Sequence, residues 1–548
     1  MLSRKTALQI PELVCVARHG EIVELSAETT GYVADMRELL EKQLQDGRTY
    51  YGINSGFGSL ASCSLPQEQA QQLSRNLITS HSVGAGPKFE EEVVRAAMLI
   101  RIKSLSAGHS GVRPAVLELY RNALNRSIFP SVPSQGSLGA CGDLAPLSHL
   151  ALALTKGASA EDTDEGRIWL RLRNDPAADD VSTHEIMVTH DYETNEQKVW
   201  KSVPASKVLG DQRLVLESKE GLALNNGATF SAALAALLVN DAERLLNDAT
   251  AVMAIALEAV EGVRDSFLSP VVAVRPHPGS LRFSETMTAM LAESKAVSGS
   301  LTENPARIPP QEPYSIRCAT SAFGGFWATH RFLREAVEIE INSVTDNPLF
   351  FGNGTHGVQR DYCVLSGGNF HGDPIAIPLD SMSLALTKLG SLLERLVFKL
   401  TDWSARGLPP YLIGSTQLGL NSGFMILQYT AASLVNECQT LCHPASANSI
   451  PSSANQEDYV SMSMNAAKNC RSICTNAEVI VAIAAMTACQ AIDVSANKPL
   501  ERMSPRTRAI YDLVRSHVQM VKEDRVMEPD FKAILQLMRS GQIAKLVV

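Results

Sequence analysis

The longest apolar run in the chain lies at 228–262, where ATFSAALAALLVNDAERLLNDATAVMAIALEAVEG is nearly continuous in small and branched apolar residues. A helix apolar on most of its faces is an interior one, so the pattern predicts a central buried helix. Weaker helical patterns predict further long helices at about 281–298, 318–340, 375–405, 421–440, 459–492 and 504–521. Upstream, EIVEL at 21–25 reads as a strand and a helix follows from Thr30. The stretch from Gln67 to Arg126 reads as helical with one break at Ser106–Gly111. Residues 155–210 depart from this. EDTDEG, NDPAADD and DYETNEQ are acidic with weak periodicity, which predicts a surface excursion with a few strands.

Between the helices lie polar loops rich in Gly or Pro: TYYGINSGFG, PQEPYSIRC, VTDNPLF, SGGNFHGD and HPASANSIPSSANQED. Unusual polar loops set into a rigid helical scaffold are how an active site is assembled from distant segments. The expected fold is mainly α, with a smaller N-terminal region at 1–220, the 155–210 insertion included, and a helical bundle at 221–548.

Composition narrows the function. The 548 residues are 45% hydrophobic, 20% charged and only 5% aromatic, which is globular and favours helix packed on helix. A net charge of −9 argues against duplex binding, which needs a basic surface. A small anionic substrate stays open, because one buried Arg can dominate a pocket. The apolar stretch Val479–Ile492, between Glu478 and Asp493, is short for a membrane span. The 10 cysteines show no disulfide framework and MLSRKTALQI is no signal peptide, so free thiols in a reducing cytoplasm are expected. In HEIMVTH, His184 and His190 are six apart, unlike the helix of a zinc protease. No metal or external cofactor is called for, and no nucleotide-binding fingerprint occurs.

The most informative stretch is GSLGACGDLAPLSH at 136–149. It reads as a tight turn entering a helix, with Asp143 placed to cap that helix and Pro146 in its first turn. Taken alone, Cys141 is either a nucleophile or a small buried hydrophobe. The chain from Tyr51 to about Ile492 resembles the aromatic amino acid lyase family, in which an Ala-Ser-Gly triplet cyclises by itself into 4-methylidene-imidazol-5-one (MIO). The matching triplet here is Ala140-Cys141-Gly142. Serine would lose water, whereas Cys141 has to lose hydrogen sulfide, and both leave the same dehydroalanine carbon.

The resemblance implies a fumarase/aspartase-like helical homotetramer whose sites draw on several subunits. It implies Tyr51 as the base for the β-proton and Arg317 as the partner of the substrate carboxylate. Tyr314, near the prosthetic group and amine, would share a side with Arg317 on one helical turn. Gln311 is similar to a polar pocket residue and Phe370 to an aromatic wall, while His371 reads as a structural partner. Asn226 looks like the family asparagine, though Asn225 beside it could exchange roles with it.

Within the family, SHSVGAG at 80–86 and SANQEDYVSM at 453–462 resemble the histidine ammonia-lyase version. His81 matches its histidine, and Glu457 matches the carboxylate facing the imidazole ring. A phenyl ring would leave that charge unpaired. Tyr459 departs from the usual His. The implied reaction is non-oxidative elimination of ammonia from L-histidine to urocanate, the entry to histidine degradation. A tyrosine or phenylalanine ammonia-lyase or aminomutase is the alternative, and a non-catalytic helical scaffold the remote one.

Overall fold

The central helix forms where the apolar run predicts it, at Thr229–Ala259, in a computed structural model describing residues 2–172, 185–299, 311–352, 362–402, 406–417 and 419–547. Its buried positions include Phe230, Leu234, Leu238, Leu245 and Ile255. Around it pack Ala319–Glu340, Asp373–Thr401 and Ser463–Val494, and Met425–Leu441 packs on the last two. Each fully buried Leu or Ile contributes about 1.5–3 kcal/mol, so such helices need no strong local propensity. One apolar cluster runs from Leu2 to Val547, shared by the N-terminal region and the bundle. Among the described residues, Ser463–Val494 is the one helix long and apolar enough to cross a membrane, and 83% of its apolar window is buried inside the bundle.

Several boundaries differ from the periodicity, each for a local reason. The helix expected from 421 starts at Met425, because Asp524 accepts from Ser422 N and Gly423 N and holds a turn there. The helix expected at 281–298 runs Pro278–Met290, with proline in the first turn. Its expected tail is held elsewhere, by Lys295 N to Arg502 O and Ser298 N to Gly262 O. The helix expected to reach 521 ends at His517, before extended Val518. The 67–126 stretch breaks twice, not once. After His81 the chain runs extended at Ala85–Lys88, pairing with Pro133–Gln135, where Gly84, Gly86 and Pro87 resist helix. EIVEL forms no strand, only a single bridge from Leu25 to Leu2.

The acidic excursion is more ordered than its periodicity suggests. Strands Arg167–Arg171, Ile186–His190 and Gln197–Pro204 join Phe129–Pro130 in a four-stranded antiparallel sheet. NDPAADD and His184 lie outside the described residues. The turn after His190 carries Tyr192, whose ring meets Arg18, Arg244, Arg471 and Arg539 at 4.2–5.3 Å. Asp241, Glu92 and Glu478 pair with these guanidiniums. The hairpin is thereby anchored to the helices of the bundle.

Candidate active site

Two helix starts face each other at the heart of the molecule. Gly142 enters helix Leu144–Leu154, and Gly227 enters Thr229–Ala259. The two glycines form a parallel bridge, with Gly227 N donating to Cys141 O at 3.0 Å and Asp143 N to Gly227 O at 2.8 Å. Asp143 does not cap its own helix. Its carboxylate accepts from Ser231 N (2.8 Å) and Ser231 Oγ (3.0 Å), so it caps the central helix and ties the two starts together. Ser137 Oγ donates to it at 2.9 Å. The positive ends of both helix dipoles thus converge on the 140–143 turn.

The turn is compressed. Gly142 has φ +78°, and a Cβ there would lie 2.0 Å from the Gly227 carbonyl carbon. Gly139 is equally crowded by Ser461 Oγ, which donates to Gly139 O at 3.0 Å. A side chain at position 142 is excluded by backbone, which gives way less than a flexible side chain.

Cys141 lies where two adjoining cavities of about 580 and 300 Å³ meet, together with Tyr51, Asn226 and Glu457. Its Sγ donates to Glu457 Oε1 at 3.2 Å. Burial, reinforced by Glu457, pushes the thiol well above its ordinary range. That disfavours the thiolate and argues against a nucleophilic cysteine. The paired asparagines point in different directions. Asn226 Nδ2 donates to Cys141 O at 3.3 Å, whereas Asn225 Nδ2 points away to Ser148 Oγ. Asn226 Oδ1 is buried with no hydrogen-bond partner among the described residues. Fully buried Arg101 fixes this asparagine by donating to Asn226 O at 2.6 Å.

Tyr51 is placed by the glycine loop, its hydroxyl accepting from Gly58 N at 3.2 Å and its ring meeting Phe57 edge-on. Burial pushes the phenol pKa up, helped by Cys141 and Glu457, while the Gly58 N–H works against this. Gly58 closes against Ser453, where an added Cβ would lie 2.3 Å from Ser453 Oγ. Glu457 follows a left-handed turn in which Ser453, Ala454 and Asn455 all have positive φ. That turn is clamped by Ser452 N to Glu457 O (2.8 Å) and Ser452 Oγ to Glu457 Oε2 (3.2 Å). His81 lines the larger cavity and Phe370 the smaller, where Asn347, not singled out from the sequence, also appears. His371 stacks on exposed Tyr459 with ring centroids 5.6 Å apart, and neither lines these cavities.

Gln311, Tyr314 and Arg317 are not brought to this place. Tyr314–Arg317 is one helical turn, with the Arg317 guanidinium 4.5 Å over the Tyr314 ring. Arg317 and Gln311 line a separate cavity of about 600 Å³ that shares no residue with the other two. Tyr314 is 68% exposed. Among the described residues, no Lys or Arg lines either cavity around Cys141.

Fold and site together are those of a carbon–nitrogen lyase. The chain belongs to the aromatic amino acid lyases, whose family model matches residues 8–516. The histidine ammonia-lyase of Geobacillus kaustophilus is 41% identical over 492 residues, covering 90% of this chain and 88% of that protein. The tyrosine aminomutase of Streptomyces globisporus is similar in structure with a TM-score of 0.86 at 31% identity, covering 100% of this chain and 98% of that one. The histidine ammonia-lyase of Trypanosoma cruzi gives 0.82 at 32%, covering 100% and 94%.

Proposed function

We propose that this protein is a histidine ammonia-lyase, converting L-histidine to trans-urocanate and ammonia, with Ala140-Cys141-Gly142 as the source of its MIO group. The observation that carries the substrate is Glu457, a carboxylate on the cavity at Cys141 with His81 in the same wall. An imidazole ring brings an N–H to that carboxylate, whereas a phenyl ring would leave it unpaired.

The residues present suit MIO. Gly142 is pressed on Gly227 as cyclisation demands, and Asn226 holds Cys141 O while leaving a buried oxygen unpartnered. The group would supply an electrophile for the substrate amine. Tyr51, on the cavity beside Cys141, takes the β-proton. Glu457 and His81 orient the ring, and Phe370 closes the wall.

The substrate carboxylate needs a cation, which neither cavity carries among the described residues. Arg317, with Gln311 and Tyr314, supplies it from a second copy of the chain, as in a homotetramer with shared sites. Exposed apolar residues seven apart support such assembly: Phe332 and Ile339 on one bundle helix, Ile377 and Leu384 on another. The nine cysteines other than Cys141, all free thiols, suit the cytoplasm. Purified protein supplied with L-histidine, L-tyrosine or L-phenylalanine tests the assignment by ultraviolet absorbance. Urocanate from histidine is expected. Cinnamate-type products alone, or a β-amino acid that keeps its nitrogen, would overturn it.

A further inference from the structure

Ser80 and His81 end helix Ala70–His81, and both line the larger cavity. The Ser80 hydroxyl donates to Leu77 O at 3.3 Å, and its Oγ lies 3.0 Å from His81 Nδ1. A carbonyl only accepts, so when the serine hydrogen is given to Leu77 an Oγ lone pair is left for the ring. His81 Nδ1 then has to carry a hydrogen. A neutral imidazole has one N–H. Nε2 is therefore left with its lone pair, and it has no hydrogen bond among the described residues.

The geometry points to Ser80 as a positioning residue that holds His81 in its Nδ1–H form, so that the nitrogen open to ligand accepts an N–H from the substrate. Which nitrogen carries the proton is set by the bond its ring partner makes. Burial pushes the His81 pKa down, so the ring is neutral at ordinary pH and its tautomer decides what it can do. With Glu457 and the unpartnered Asn226 Oδ1, the ring then gives the cavity a set of acceptors, and among the described residues no Lys or Arg lines it. That suits a ligand rich in N–H donors, as an amino acid with a ring N–H is. The identity of that ligand rests on the histidine reading above, whereas the tautomer does not.

The test uses the full-length protein labelled with ¹⁵N in its 12 histidines, the His81 signal being assigned from its loss in His81→Gln. In the unsubstituted protein, Nδ1 is expected to carry the proton. In Ser80→Ala the Nε2–H form should appear, and KM for histidine should rise by about three- to tenfold, as for one lost hydrogen bond, with a smaller change in kcat. Ser80→Thr, which keeps the hydroxyl, should restore both. An Nε2–H ring in the unsubstituted protein, or an unchanged tautomer in Ser80→Ala, would overturn the assignment. No turnover of histidine by a protein with the expected tautomer would instead overturn the substrate reading.

Discussion

Replacing Glu457 with Gln removes a charge while keeping the size of the side chain. Ser452 Oγ holds Oε2 at 3.2 Å, so the other oxygen, now facing Cys141 Sγ, is the one offered to the cavity once sulfur has left. A hydrogen bond to a charged group contributes about 1.5–3 kcal/mol net, which corresponds to a factor of about 10–150 in kcat/KM. The loss should fall on histidine and not on phenylalanine, since a phenyl ring gains when an unpaired carboxylate becomes an amide. Initial rates followed by the absorbance of urocanate and of cinnamate, on the same preparations, give the ratio. Equal losses on both substrates would mean that Glu457 serves folding or the common chemistry and does not read the ring.

Shared sites predict complementation: Tyr51→Phe and Arg317→Gln, each nearly inactive alone, should recover activity when co-expressed, because some sites then receive both native groups. Mixed oligomers without recovery would place both residues in one copy's site. Lys219 and Asp346 are a buried pair at 2.7 Å beside Arg101. Asp346→Asn should destabilise by about 3–5 kcal/mol. Lys219→Met should cost less, because Arg101 remains for the aspartate, and denaturation midpoints would rank them. His149 Nε2 accepts from Gly84 N at 3.0 Å, and burial with Lys88 pushes its pKa down to about 4. The unfolded chain, with an ordinary value of about 6.5, binds the extra proton first. The stability His149 gives is whole above about pH 6.5 and is lost, by about 1–2 kcal/mol at a part-exposed site, as the pH falls toward about 4. His149→Gln should flatten that dependence, and an unchanged slope would refute it.

The bundle was legible because burial leaves a mark in periodicity: the 228–262 run became Thr229–Ala259. Tyr51, His81, Cys141, Asn226 and Glu457 were legible through motif. Their convergence was not, since it depends on the pairing of Gly142 with Gly227, whose only sequence mark is two glycines. Asp143 sits where a helix cap should, yet its partner is Ser231, a contact local pattern does not carry. Arg101 is one of several charged residues in helix Glu91–Ser106, and only the fold sets it under Asn226. The left-handed turn at Ser453–Asn455 contains no glycine to announce it. The separation of Arg317 from Tyr51 was equally hidden, because spacing along a chain says nothing about which cavity a residue lines.

The intact mass of the purified protein bears on all of this. It should fall below the sequence value by one water and one hydrogen sulfide, with nine thiols titrating under denaturing conditions where the sequence has 10 cysteines. The full sequence mass with every thiol present would contradict formation of the electrophile from Ala140-Cys141-Gly142.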